Sequence, residues 1–380
     1  MSASVALMSV FGLGVIFAII GALKLELAKV LNIDDAKVGS LISTLMFASM
    51  IMVLITGPIV DSVGYKPVAI VGFLVAFISI FLLISAKSYK MAVFACIILG
   101  VGGMCLNTVG NTLMPVILFD GQNAPAALNL GNTFFGLGAF VTPLIVGLLL
   151  RKLGYKTTGT IIAVILLIPV IIAIITVLPS VPTGFEMSKA FGLLASGIVI
   201  IAALALICYI GLEFSMGGWI STYANSIGFT DRGSNIVLSV FWICLMIARL
   251  TTAGFGVFEP LVTPEIGASI IAVLAVVAVI TIGIMAVAKS KTLAVIGVIL
   301  TGLAFGPIFP TIVGVTFSKT LEALHGSAFG IIFAVGLFGG SFMPTAIGII
   351  AKGKTIQKSF MVAIAAAVIL FIMALIMGRF

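Results

Sequence analysis

Charge is what this sequence has least of. Aspartate, glutamate, lysine and arginine make up 8% of its 380 residues, against about 25% in a soluble domain. With 62% of residues hydrophobic, no soluble fold of this size could hide the apolar surface, so the surrounding solvent must be lipid. Histidine is scarce too: His325 stands alone and cannot anchor a metal cluster, and no metal or cofactor is expected. The four cysteines, Cys96, Cys105, Cys208 and Cys244, lie inside apolar runs without a CxxC pair and read as small buried hydrophobes. HExxH, an intramembrane aspartate pair and a convincing serine–histidine set are all missing, which argues against an intramembrane enzyme. The formal net charge is +8, yet no basic cluster accompanies a soluble domain, so nucleic acid is not an expected partner. The N-terminus lacks a charged n-region and a clear cleavage site, and its first apolar stretch reads as a retained helix.

What is abundant is long apolar sequence. A spanning helix needs about 20 apolar residues. Twelve segments qualify: roughly 5–31, 36–60, 67–86, 90–118, 125–150, 157–178, 189–226, 233–257, 266–288, 292–317, 326–351 and 356–378. The loops are short, so neighbouring spans run antiparallel. The longest polar break, Ser180 to Lys189, separates residues 1–179 from 189–380, with 180–188 as linker. Gly138, Pro143 and Gly147 recur as Gly339, Pro344 and Gly348, each 201 positions on. The expected fold is therefore an all-α membrane protein of twelve transmembrane helices, in two pseudo-symmetric six-helix bundles related by an axis along the membrane normal. Two such halves suit a transporter working by alternating access. Glycines crowd the fourth span (Gly100, Gly102, Gly103, Gly110) and the eleventh (Gly330, Gly336, Gly339, Gly340). They allow close helix contact, while Pro143, Pro307, Pro310 and Pro344 permit kinks.

After the second span comes Gly57-Pro58-Ile59-Val60-Asp61-Ser62-Val63-Gly64-Tyr65-Lys66. It resembles the G-x-x-x-D-x-x-G-[RY]-[RK] loop of the major facilitator superfamily. Gly57 allows close helix contact, and Asp61 is suited to cap a neighbouring helix N-terminus and latch one conformation, with Gly64 and Lys66 completing the loop. The second half keeps Gly254 but has Glu259-Pro260 in a degraded copy. Three further stretches resemble the superfamily's fucose–galactose–glucose symporter branch. They are Gly100 to Gly147 with Asn107, Asn111 and Asn129; Tyr209-Ile210-Gly211-Leu212-Glu213 with Gly217-Gly218-Trp219 and Tyr223; and Gly302 to Gly348 with Gly306-Pro307-Ile308-Phe309-Pro310. The resemblance implies a binding site near the bilayer midplane between spans one, four, five, seven, ten and eleven. Fucose-type proton symporters carry a carboxylate one turn before the family's asparagine. Asn107 holds that place here, so the family's proton site cannot simply be copied.

Charged side chains inside spans are costly and usually functional. Away from the span ends these are Lys24, Glu26, Glu213 and Arg249, candidates for ion coupling. Glu213 leads, because Gly217-Gly218 one turn later can break the seventh span and expose backbone. It can take up a proton, accept sugar hydroxyls or help bind sodium; a structural ion pair is the alternative. Asn107 and Asn111 share a helical face, as do Asn129 and Asn132. Their amides suit sugar hydroxyls, with interhelical bonding as the rival use. Trp219 and Tyr223 offer an aromatic face for a pyranose, or an interfacial anchor. Lys24 either snorkels outward or joins the coupling set.

The resemblance puts both termini and the Asp61 loop in the cytoplasm of a cell inner or plasma membrane. The positive-inside rule argues the reverse, because that orientation leaves four loop basic residues inside and thirteen outside. The expected function is secondary transport of a small neutral solute, a monosaccharide or polyol, by a monomer in the lipid bilayer. Coupling to H+ or Na+ and plain facilitated diffusion are both open. The alternatives are an exporter or carrier of drugs, amino acids or organic acids, and a receptor that does not transport.

Overall fold

A computed structural model describes residues 1–181, 184–254, 261–353 and 355–380. Glu259-Pro260 of the degraded loop, Lys354, the last three residues of the expected eighth span and two linker positions lie outside the described residues. Among the described residues, every regular element is helical. The α-helices are α1 (Ser2–Ala22), α2 (Lys24–Leu31), α3 (Asp35–Val63), α4 (Tyr65–Ile84), α5 (Tyr89–Ile117), α6 (Ala124–Ile165), α7 (Ile168–Ile175), α8 (Met187–Gly192), α9 (Gly197–Ser226), α10 (Asp231–Thr252), α11 (Gly267–Val287), α12 (Lys291–Phe305), α13 (Ile308–Ser318), α14 (His325–Gly353), α15 (Ile356–Ser359) and α16 (Met361–Met377).

Among these residues, eleven helical stretches are long and apolar enough to cross a membrane. One of them, Ala124–Ile175, runs for 52 residues, more than twice the length that spans about 30 Å of hydrocarbon. Within it Gly154 has φ +76° and ψ 172°, a backbone that glycine adopts without steric cost. The chain reverses there, and the stretch supplies the fifth and sixth of twelve spans.

Three spans differ from the sequence expectation. The first ends early: Leu23 leaves helical geometry (φ −96°, ψ 6°), and Lys24 and Glu26 fall on the separate α2, beyond the apolar segment Ser2–Ala22. Neither is a mid-span charge. The seventh span starts at Gly197 and α9 then runs unbroken through Gly217-Gly218. Gly217 has a packing use instead, since a Cβ there would lie 2.8 Å from Cζ2 of Trp242. The tenth span is interrupted between α12 and α13 at Gly306-Pro307, where proline removes a backbone donor.

The chain forms two compact units. The first comprises Met1–Gly121, Gly131–Phe191 and Glu322–Gly330; the second comprises Gln122–Leu130, Gly192–Leu321 and Ile331–Phe380. They depart from a division at the linker in three places: the start of α6, the start of α14, and residues 189–191, which go with the first unit. In the first unit, Ile16 of α1, Phe73 of α4 and Leu106 of α5 lie in one buried core. Lipid tails are as apolar as leucine, so close backbone approach and interhelical hydrogen bonds hold such helices together. Gly138 of α6 lies against the Phe11 carbonyl of α1, and Gly339 of α14 lies against the Ile207 carbonyl of α9; neither leaves space for a Cβ. The repeated glycine thus makes the same kind of crossing in each unit, fifth span on first and eleventh on seventh.

Candidate functional site

In the first unit three asparagines form a chain of amides. Asn132 Nδ2 donates to Asn111 Oδ1 at 2.9 Å. Asn111 Nδ2 donates to Asn107 Oδ1 at 2.8 Å and to the Asn107 carbonyl at 2.9 Å. All three are buried. The spacing of four on α5 stacks Asn107 and Asn111 on one face, and Asn132 reaches them from α6. The chain ends softly: the Asn107 amide nitrogen has Met104 Sδ at 3.8 Å, a weak acceptor that a hydroxyl oxygen can replace. On the same helix, the Thr108 hydroxyl meets that of Thr56 of α3 at 3.1 Å.

Also in the first unit, Asp61 caps the start of α14. Its Oδ1 accepts from Gly326 N at 2.8 Å, and its Oδ2 accepts from Ser327 N at 2.7 Å and Ser327 Oγ at 2.6 Å. These amides are donors that a helix N-terminus leaves unpaired, and a carboxylate there also meets the positive end of the helix dipole. A Cβ on Gly326 would lie 2.5 Å from the Gly57 carbonyl, so glycine is what lets the two backbones approach. Lys66 works elsewhere: its Nζ donates to the carbonyls of Ile174 at 2.6 Å and Thr176 at 3.1 Å, closing the C-terminal end of α7. Gly64 turns the chain between α3 and α4 at φ +91°.

The second unit holds the charged pair. Arg249 is 3% exposed and Glu213 13% exposed, with Arg249 Nη2 donating to Glu213 Oε1 at 3.2 Å. Arg249 Nε donates to the Gly306 carbonyl at 2.9 Å. That carbonyl lacks its ordinary helical donor, because Pro310 four residues on has no N–H. Arg249 therefore joins α10 to α9 and also satisfies a carbonyl left open by the proline break. Tyr209, one turn before Glu213, is fully buried, with its ring centroid 6.1 Å from that of Phe305 and 6.3 Å from that of Phe309. Its hydroxyl adjoins both charges without an aligned hydrogen bond in this conformation.

The remaining candidates are distributed differently from the expectation. Asn129 Nδ2 donates to the Pro125 carbonyl at 2.9 Å and to Thr311 Oγ1 at 3.3 Å, so it engages α13 while Asn132 engages α5. Trp219 Nε1 donates to the Pro344 carbonyl at 3.0 Å, and the indole fills the space left by Gly348. Tyr223 is fully buried. Its hydroxyl donates to the Met285 carbonyl at 2.9 Å, and its ring lies 5.3 Å from that of Phe360. It is a packing residue with its polar atom already used, and offers no face to a solute. Glu26 pairs with Lys29 on its own helix at 2.9 Å, with side chains 27% and 72% exposed. Such exposed pairs contribute about 0–1 kcal/mol.

Sequence reasoning missed Thr311, Ser327, Tyr209 as a neighbour of the charges, and the Gly306 carbonyl. Only the last left a readable sign, a proline four residues downstream.

A family model described as the Major Facilitator Superfamily matches residues 5–344. The chain belongs to that superfamily. It is a multi-pass membrane transporter of a small molecule, not an enzyme. Among curated relatives, the glucose/galactose transporter of Brucella abortus is 26% identical over 340 residues, covering 83% of this chain and 79% of the relative. The human synaptic vesicular amine transporter is 22% identical over 308 residues, covering 79% of this chain and 53% of the relative. Among solved structures, a variant of the E. coli fucose:proton symporter, FucP, superposes with a TM-score of 0.78 at 20% identity over 99% of both chains. That likeness establishes the twelve-helix superfamily fold.

Proposed function

We propose that this superfamily transporter carries a neutral monosaccharide or sugar-like polyol by alternating access, with the six-span repeats 1–179 and 189–380 as its moving parts. One observation carries the reading. Glu213 and Arg249, the charged residues well inside the spans, neutralise each other, while the buried polar side chains around Asn107, Asn111 and Asn132 are amides and hydroxyls. A neutral polyol matches such groups, because amides donate and accept without charge. A cationic amine would demand a carboxylate of its own, and Glu213 is engaged by Arg249. The name of the Brucella relative supports a sugar.

Asn107, Asn111 and Asn132 are the proposed substrate contacts, with Asn129 and Trp219 as further candidates whose present bonds would have to exchange. Glu213 is the proposed coupling acid for H+ or Na+, with Arg249 as its counter-ion. Gly57, Asp61, Gly64 and Lys66 form the proposed latch. Both termini and the Asp61 loop are proposed to be cytoplasmic in a cell inner or plasma membrane. A membrane-impermeant maleimide should then leave Ser62→Cys unlabelled from outside in a background lacking the native cysteines; external labelling would reverse the assignment.

The test of function is reconstitution in liposomes, with uptake of labelled monosaccharides measured with and without proton and sodium gradients. Uptake of a sugar raised by one gradient supports symport and names the ion. Uptake indifferent to both means a uniporter. No uptake of any sugar removes the substrate class.

A further inference from the structure

The degraded loop in the second half leaves a question about the second unit. The offset of 201 residues that carries Gly138 onto Gly339 also relates Gly326 to Pro125, which makes the start of α6 the counterpart of the start of α14. In the first unit, the Asp61 carboxylate holds the start of α14.

At the start of α6 the holding residue is Asn123. Asn123 Oδ1 accepts from Ala126 N at 3.0 Å, and the Asn123 carbonyl accepts from Ala127 N at 3.0 Å. It is thus the N-cap of α6, a role asparagine fills as well as any residue. Its Nδ2 then donates to the Val262 carbonyl at 2.8 Å. Two further contacts seat the same turn. A Cβ on Gly314 of α13 would lie 2.6 Å from Pro125 N, and Asn129 bonds Thr311 one turn later. All these residues belong to the second unit, while α6 beyond Leu130 belongs to the first.

We propose that Asn123 is a second conformational latch. It does for α6 what Asp61 does for α14, with the cap supplied from its own helix and the tether made to a backbone carbonyl. Its hydrogen bonds are neutral, so it holds less strongly than the carboxylate. This rests on the alternating-access reading, in which the starts of α6 and α14 are released in the same opening.

Hydrogen exchange of the full-length protein in nanodiscs tests it, with no need for a substrate. Asn123→Ala should accelerate exchange in segment 124–130 by about 30-fold, the loss of a cap and one hydrogen bond. If the opening is shared, segment 325–330 should accelerate by the same factor, although Asn123 touches none of it. Coupling of this kind is reciprocal, so Asp61→Asn should accelerate segment 124–130. Asn123→Asp keeps the cap oxygen but loses the donor to Val262. It should still accelerate segment 325–330, which separates the tether from the cap. Acceleration confined to 124–130, or none at either segment, overturns the proposal and leaves Asn123 a local cap. Failed sugar uptake with coupled exchange removes the substrate reading alone; working uptake with uncoupled exchange removes the latch alone.

Discussion

Replacing Asp61 by asparagine keeps the shape of the side chain and removes its charge. The carboxylate receives three hydrogen bonds, at 2.8, 2.7 and 2.6 Å. Bonds to a charged group contribute about 1.5–3 kcal/mol each. Asparagine keeps one acceptor oxygen and turns an amide NH2 toward a backbone N–H, which is then buried without an acceptor. The charge also loses its interaction with the α14 dipole, about 0.3–1 kcal/mol. Part of this sum is offset because a neutral amide is cheaper to bury than a carboxylate. A net loss of about 2–3 kcal/mol follows, and about 1.4 kcal/mol is tenfold, so the held state should weaken by about 30- to 150-fold. Exchange of the Gly326 and Ser327 amides measures it directly. Ser327→Ala, which removes only the hydroxyl donor, should cost about 1 kcal/mol and give about a fivefold change. If Asp61→Asn accelerates those amides less than about threefold, the carboxylate does not hold α14 and the latch reasoning fails.

The other predictions concern the pair, the crossing and the amides. Removing one partner of a buried ion pair costs about 3–5 kcal/mol, so Glu213→Gln should lower thermal stability. Arg249→Met should lower it further because the Gly306 carbonyl then loses its donor, and the double variant should recover part of the loss while abolishing gradient-driven accumulation. Gly339→Ala should unfold or severely destabilise the protein, whereas Gly147→Ala, with no atom within 4 Å of the new Cβ, should be nearly neutral in the same melting assay. Asn111→Ala cuts the amide chain in the middle and should weaken substrate binding about tenfold in a direct titration, the loss of about 1.4 kcal/mol. Tyr223→Phe removes only the bond to Met285; it should cost about 1 kcal/mol of stability and leave substrate affinity unchanged.

Twelve crossings were legible because lipid requires a long uncharged run for each, and no tertiary contact can waive that requirement. The repeat was legible because a helix crossing as close as Gly138 on Phe11 or Gly339 on Ile207 tolerates no side chain, which keeps glycine at matching positions. Asp61 was legible as a capping acid from its loop. Local signs misled where two physical uses share one residue type. Gly217-Gly218 reads as a helix break, but α9 runs unbroken through it and Gly217 makes room for the ring of Trp242. Tyr223 reads as a solute contact or an interfacial anchor, whereas it is buried with its hydroxyl on the Met285 carbonyl.

Composition and spacing alone therefore determined the solvent, the number of spans, the duplication and the residue types available for chemistry. Which groups meet was decided only by tertiary structure. Asp61 and Gly326 are 265 positions apart, and Arg249 and Gly306 are 57 apart. Hydrogen bonds are short-ranged and directional, so no periodicity along the chain encodes such pairs. They exist because helix packing brings a donor to the acceptor that a helix end or a proline has left open.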